Sequence, residues 1–249
     1  MITGLIGAMR EEILQLKDEI KDLQTETQGC REFLRGFIGE EEVVMCLSGW
    51  GKVAAASTAT SLINLYGAGR LLFIGLAGSL QSHLNIGDIV VADRLIQHDV
   101  DLSRLEDFRH IEAPFWRNFS FAVDPAGTDR ALEASREFCR RLGEGRYPAI
   151  SAAYHPQVHV GAIASGDQFI ASAQGKERIR ERFPEALCAE MEGGALAQVA
   201  ADYGVPCTVI RIISDQADES AHDDFSRFLF RDISRISVAL AERLFLAGC

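Results

Sequence analysis

Two carboxylates, Glu192 and Asp215, each stand at the end of an apolar run that reads as a buried strand, in Ala189-Glu190-Met191-Glu192-Gly193 and Arg211-Ile212-Ile213-Ser214-Asp215. Adjacent strands of an α/β sheet would bring both acids to the edge where such sheets bind ligands. Two carboxyl groups in different environments suit acid–base chemistry on a glycosidic bond, because one can hold a proton while the other stays ionised. A plainer reading fits the same positions: a helix-opening Glu and a turn Asp, both merely solvated. Glu12 has the same two readings. It stands at the C-terminal end of the first apolar run and so faces the same edge. With Glu11 it also falls in the first turn of a helix, where the dipole favours negative charge.

The elements that must carry these acids alternate between strand and helix. Apolar runs predict strands at 2–8, 70–76, 88–97, 157–164, 186–190 and 206–213. Two more fall within 27–48, joined by Gly36 to Glu41 as a hairpin that could curl a sheet toward a barrel. Helical spacing predicts helices over 10–21, 52–66, 128–142, 173–183, 193–203 and 225–246. Residues 102–128 read as a long irregular connection, the kind that forms lids and interfaces. No repeat, low-complexity stretch or linker divides the chain. The expectation is one α/β domain over 1–249, with a mixed, mostly parallel sheet flanked by helices.

Composition narrows the function classes. With 25 basic and 36 acidic residues the net charge is −11, which repels phosphate backbones and argues against a nucleic-acid partner. No apolar run approaches the roughly 20 residues of a membrane span. Met1 leads straight into a strand without a basic n-region, so no leader is expected. The six cysteines form no C-x-x-C pair, and Cys46, Cys188 and Cys207 lie in apolar runs. That usage fits a reducing compartment, and a cytoplasmic location is expected.

Two further patterns are weaker. Gly49-Trp50-Gly51-Lys52-Val53-Ala54 loosely matches a dinucleotide fingerprint between strand and helix, but the next strand ends in Ala77-Gly78-Ser79 without the acid that binds a ribose. His98, Asp99 and Asp101 could in part share one strand face and ligate a metal, yet no second cluster completes a site. Neither a metal nor a cofactor is expected.

Seven landmarks then line up: GLIGAMREE (4–12), SGWGKVAAA (48–56), GLAG (75–78), GDIVVAD (87–93), SGDQFI (165–170), AEMEG (189–193) and RIISDQAD (211–218). Their order and spacing resemble the 5′-methylthioadenosine/S-adenosylhomocysteine nucleosidases of the nucleoside phosphorylase superfamily. The resemblance spans nearly the whole chain and is weakest between 102 and 156. It implies a mixed, curled sheet and hydrolysis of the N-ribosidic bond of an adenine thionucleoside, with no cofactor or metal. It implies a small-molecule nucleoside substrate and a homodimer. By matching motifs, Asp215 resembles the acid that protonates adenine N7, Glu12 the base that positions water, and Glu192 the carboxylate that holds ribose hydroxyls. Phe169 and Ile170 resemble the base pocket, Met191 and Phe225 the sugar and 5′-group contacts, and Arg211 a group that shapes the carboxylate site. A partner's loop closes the 5′ end in that family; Leu102 and Leu105 lie where it should be, in an aromatic-rich stretch with Phe108, Phe115, Trp116 and Phe119.

The chain departs from the pattern twice. Leu76 stands where the family has a small hydroxyl residue that bonds the catalytic Asp, and Trp50 replaces a smaller aliphatic residue beside the sugar. Both predict altered rate or 5′-group preference. Two other functions stay open: a phosphorylase, which needs a cationic cradle near Arg10 and Lys52 that Glu12 would oppose, and a non-catalytic nucleoside-binding module.

Overall fold

The computed structural model describes residues 1–101, 119–150 and 154–246. Leu102, Leu105, Phe108, Phe115 and Trp116 lie outside them.

One ten-stranded sheet runs through the molecule. Strands β1 (Ile2–Gly7), β4 (Glu41–Leu47), β5 (Ala68–Ser79), β6 (Ile89–Gln97), β8 (Val158–Ser165), β9 (Ala186–Glu190) and β10 (Cys207–Asp215) fall where apolar runs predict them. Strands β2 (Lys21–Gln28), β3 (Arg31–Ile38) and β7 (Ser120–Ala122) complete it. The helices are α1 (Arg10–Ile13), α2 (Lys52–Tyr66), α3 (Pro125–Gly143), α4 (Ala173–Arg182), α5 (Gly193–Tyr203), α6 (Ala221–Arg231) and α7 (Ile233–Leu246).

The sheet closes through β5, a strand of 12 residues with three partners. Its first half lies between β1 and β10, and its far end, at Gly78 and Ser79, pairs with Ala189 and Cys188 of β9. Strands β5, β10, β6, β8 and β9 thereby form a ring, while β1, β4, β3 and β2 extend from it as a wing. The predicted hairpin is therefore not what curls the sheet; it lies in the wing. The pairings divide into five parallel and five antiparallel, so the sheet is mixed, with antiparallel pairs both in the ring, at β5–β9 and β6–β10, and in the wing.

Apolar side chains pack on both faces. Ala59 and Leu62 of α2 and Leu196 and Ala200 of α5 cover one. Ile13 of α1, Phe138 of α3, Phe228 of α6 and Ile236 of α7 cover the other. Helix α2 stops at Gly67, whose left-handed φ of 68° lets its N–H turn back onto the Ile63 carbonyl. Helix α3 starts at Pro125 with Asp124 as its cap, a turn earlier than the spacing predicts.

Two helices differ from expectation. The predicted 10–21 helix is a four-residue α1 followed by a 3-10 segment, Leu14–Glu19, and Ile20 is already extended. The predicted 225–246 helix starts earlier and breaks at Asp232, where φ of −127° interrupts the spiral between α6 and α7.

Candidate active site

The ends of β9 and β10 carry Glu190 and Asp215, Glu192 follows β9, and α1, directly after β1, carries Glu12. A cavity of about 360 Å³ opens there, with Glu12, Glu190, Glu192 and Asp215 among its lining residues. Trp50, Leu76, Phe169, Ile170, Met191 and Phe225 line it as well. Arg211 does not: it is fully buried, beneath the carboxylates.

Glu12 is held by three backbone donors. Its Oε2 accepts from Ala8 at 2.6 Å and Met9 at 2.9 Å, and its Oε1 accepts from Leu76 at 3.0 Å. A carboxylate has about four lone-pair positions, so Oε1 keeps one for a further donor such as water. Burial raises the Glu12 carboxyl above its ordinary range, against the pull of Arg211 and these amides.

Glu190 was quoted in the sequence motif without a role, and the structure makes it the organiser of the site. It accepts N–H bonds from Gly193 at 2.8 Å and Glu192 at 3.0 Å, which caps α5, and it pairs directly with Arg211 and Ser165 Oγ. Ser165 Oγ in turn accepts from Gly194 at 2.6 Å. The available signal was an acid closing an apolar strand, a costly place for a charge without a partner.

Arg211 reaches Glu192 at 3.7 Å and lies over the Phe73 ring at 4.1 Å. Gly75 makes this possible, since a Cβ there would collide with Arg211 Nη1 and lie 2.8 Å from Glu12 Oε1. One guanidinium among three carboxylates leaves excess negative charge in a dry site, and such a site retains protons. Glu192 shows it: burial and the neighbouring Glu190 push its carboxyl up to about 8, although Gly51 N–H donates to Oε1 at 2.9 Å.

Asp215 stands apart from the guanidinium. Its Oδ2 accepts from Ser214 Oγ at 2.7 Å and its Oδ1 from Ala217 N–H at 2.8 Å. Burial raises its carboxyl above the ordinary range, which those two donors oppose. Ala217 holds a left-handed φ of 52°, a conformation that costs a non-glycine residue about 1 kcal/mol or more. The hydroxyl expected to be missing because of Leu76 thus comes from Ser214. Leu76 pairs in register with Ile212, and Asp215 with Gly78.

The outer cavity is apolar. Phe169 and Phe225 meet edge to face, 5.6 Å between centroids, and Trp50 is 72% exposed at the rim. The dinucleotide alternative finds no vacancy at the start of α2. The Gly51 and Lys52 N–H groups donate to Glu192 and Asp167, carboxylates that would repel a phosphate. In the proposed metal cluster the Lys52 ammonium sits 2.5 Å from Asp99, and among the described residues no group of three or more His, Cys, Asp or Glu is placed to hold a metal ion.

The Phosphorylase superfamily profile matches residues 3–247. An aminodeoxyfutalosine nucleosidase of Helicobacter pylori is 37% identical over 227 residues, 91% of this chain and 90% of that protein. Among solved structures, a 5′-methylthioadenosine/S-adenosylhomocysteine nucleosidase of Neisseria meningitidis, in complex with methylthio-immucillin-A, superposes with TM-score 0.85 at 30% identity, covering 98% of this chain and 97% of its own. The futalosine hydrolase of Helicobacter pylori does so with TM-score 0.82 at 34% identity, covering 100% and 98%. This chain belongs to the phosphorylase superfamily, and in both sequence and fold it is similar to the superfamily's nucleosidases.

Proposed function

We propose that the protein is an N-ribosyl hydrolase that uses water to release adenine from a nucleoside with an apolar or aromatic 5′-substituent, of the 5′-methylthioadenosine type. The observation that carries this reading is the charge of the cavity. Among its described lining residues are four carboxylates and no Lys or Arg. Such a wall offers phosphate no cationic cradle and accommodates water and a sugar that becomes cationic as the C–N bond breaks. In this reading water adds to C1′ and gives its proton to Glu12. The bonding pair of the C1′–N9 bond leaves with the base, and Asp215 delivers its proton to N7. Glu192 accepts hydrogen bonds from the ribose hydroxyls. Phe169 and Ile170 flank the base, and Met191, Phe225 and Trp50 take the sugar and 5′-group. Arg211 acts from below by holding the carboxylates in place.

The name of the Helicobacter pylori relative supports aminodeoxyfutalosine as the competing substrate. The test is a panel of 5′-methylthioadenosine, S-adenosylhomocysteine, aminodeoxyfutalosine and inosine, followed for free base. The reading expects release from an adenine nucleoside and little from inosine. Equal release from inosine would contradict the adenine assignment, and faster turnover of aminodeoxyfutalosine than of both thionucleosides would select the competing substrate.

A further inference from the structure

We propose that Lys52, Asp99 and Asp167 form a clasp that positions Glu192 and ties together two segments lining the cavity, an inference that rests on the hydrolase reading above. Three contacts close a circuit between segments far apart in sequence, and a fourth ties it to Gln97. Lys52 N–H donates to Asp167 Oδ1 at 2.7 Å, and Asp167 N–H donates to Asp99 Oδ2 at 3.0 Å. Asp99 Oδ1 receives the Lys52 ammonium at 2.5 Å, and the same ammonium donates to Gln97 Oε1 at 3.3 Å. Asp167 thereby caps α2 from another part of the chain, doing what Gly51 at the cap position cannot, having no side chain.

The clasp sits between functional neighbours. Gly51, one residue before Lys52, gives its N–H to Glu192 and holds φ of 91°, and Trp50 precedes it on the cavity wall. Gln168, Phe169 and Ile170, directly after Asp167, line the cavity as well. The Lys52 and Asp99 side chains are only 16% and 18% exposed, so the pair is shielded from the screening that weakens surface ion pairs. Burial works against the charge of Asp99, but the bonds from Lys52 and the Asp167 amide outweigh it and hold its carboxyl below the usual range.

Opening the clasp frees Gly51 to leave Glu192. Glu192 is also faced by Glu190 on β9, Arg211 on β10 and Glu12 on α1. With its amide donor gone, the balance among these groups moves toward the protonated acid, a poorer acceptor for ribose hydroxyls.

The test measures kcat, KM and the pH dependence of kcat/KM for 5′-methylthioadenosine in Lys52→Met, Asp99→Asn, the double variant and Lys52→Arg. Each single variant should raise KM about tenfold, the worth of a charge-assisted bond, with a smaller change in kcat. The acidic limb of kcat/KM should move to higher pH. The double variant should be no worse than the poorer single, because both break one circuit, and Lys52→Arg should recover most of the loss. Unchanged KM and limb in Asp99→Asn, the nearly isosteric variant that should fold, would overturn the proposal, as would losses that multiply in the double variant. If the wild type releases no base, the hydrolase reading fails instead, and the clasp is judged by calorimetric affinity for 5′-methylthioadenosine in the same variants. About tenfold weaker binding supports it, and unchanged binding overturns it.

Discussion

Asp215 and Glu192 are both buried carboxylates, yet their surroundings give their protons different tasks. Burial raises the Asp215 carboxyl above its ordinary range, which favours the protonated form that the proposed general acid needs. Asp215→Asn should lower kcat by about 10²–10⁴, the usual worth of a general acid, while nucleoside affinity changes little. Near wild-type turnover would remove Asp215 from the acid role. Glu192 makes a prediction about stability. Its ordinary value is 4.5 and its folded value is about 8, so between those limits the folded protein holds a proton that the unfolded chain releases. The resulting stabilisation is complete below the lower value and is lost as pH rises through the upper one; Glu12 and Asp215, also raised, act with the same sign. The melting temperature should therefore fall from pH 5 to pH 8, and Glu192→Gln should flatten that slope and raise melting at pH 8. A slope identical in the two proteins would contradict this. Glu12, Glu192 and Asp215 were legible as candidates because acids at the ends of apolar strands are conspicuous. The places of Glu190, Ser165 and Ser214 were not, because their partners lie on other strands or depend on the exact turn.

At the scale of elements, the sequence identifies what buries an apolar face and misses what does not. Strand β2 is exposed along almost its whole length, a polar edge strand with no hydrophobic period to read. Strand β7 is three residues long and, among the described residues, pairs with β6 alone. Strand β5 was read from its apolar middle, 70–76, and extends to Ser79 because β9 pairs with its end. The strand as a whole places Gly75, Leu76 and Gly78 against Arg211, Glu12 and Asp215. Gly75→Ala should therefore be severe: the added methyl must displace the Arg211 guanidinium, and breaking a buried ion pair costs roughly 3–5 kcal/mol. Denaturant melts check this, and a loss below about 1 kcal/mol, typical of an ordinary substitution, would show that the guanidinium has room to move. Leu76→Ser should behave differently. Its backbone N–H still holds Glu12 and Ser214 still serves Asp215, so kcat should stay within roughly threefold, under 1 kcal/mol of barrier. A large rise in kcat would mean that the Leu76 side chain, not its backbone, limits the rate.

At the scale of the molecule, barrel closure follows from the three partners of β5 and could not be read from local periodicity. The α/β class could, because strands and helices alternate along nearly the whole chain. Trp50 and Phe169, which line the cavity, and Val53 are exposed apolar side chains, and the resemblance implies a homodimer. Light scattering at micromolar concentration should give twice the 27.3 kDa chain mass; a mass of one chain would contradict that assembly. Water, not phosphate, is the proposed acceptor of the ribosyl group in a cavity walled by carboxylates. That assignment is tested most directly by following adenine release from 5′-methylthioadenosine with and without phosphate and identifying the sugar product. The account predicts the same rate in both and a free reducing sugar. Base release that requires phosphate, with a sugar 1-phosphate as product, would contradict it.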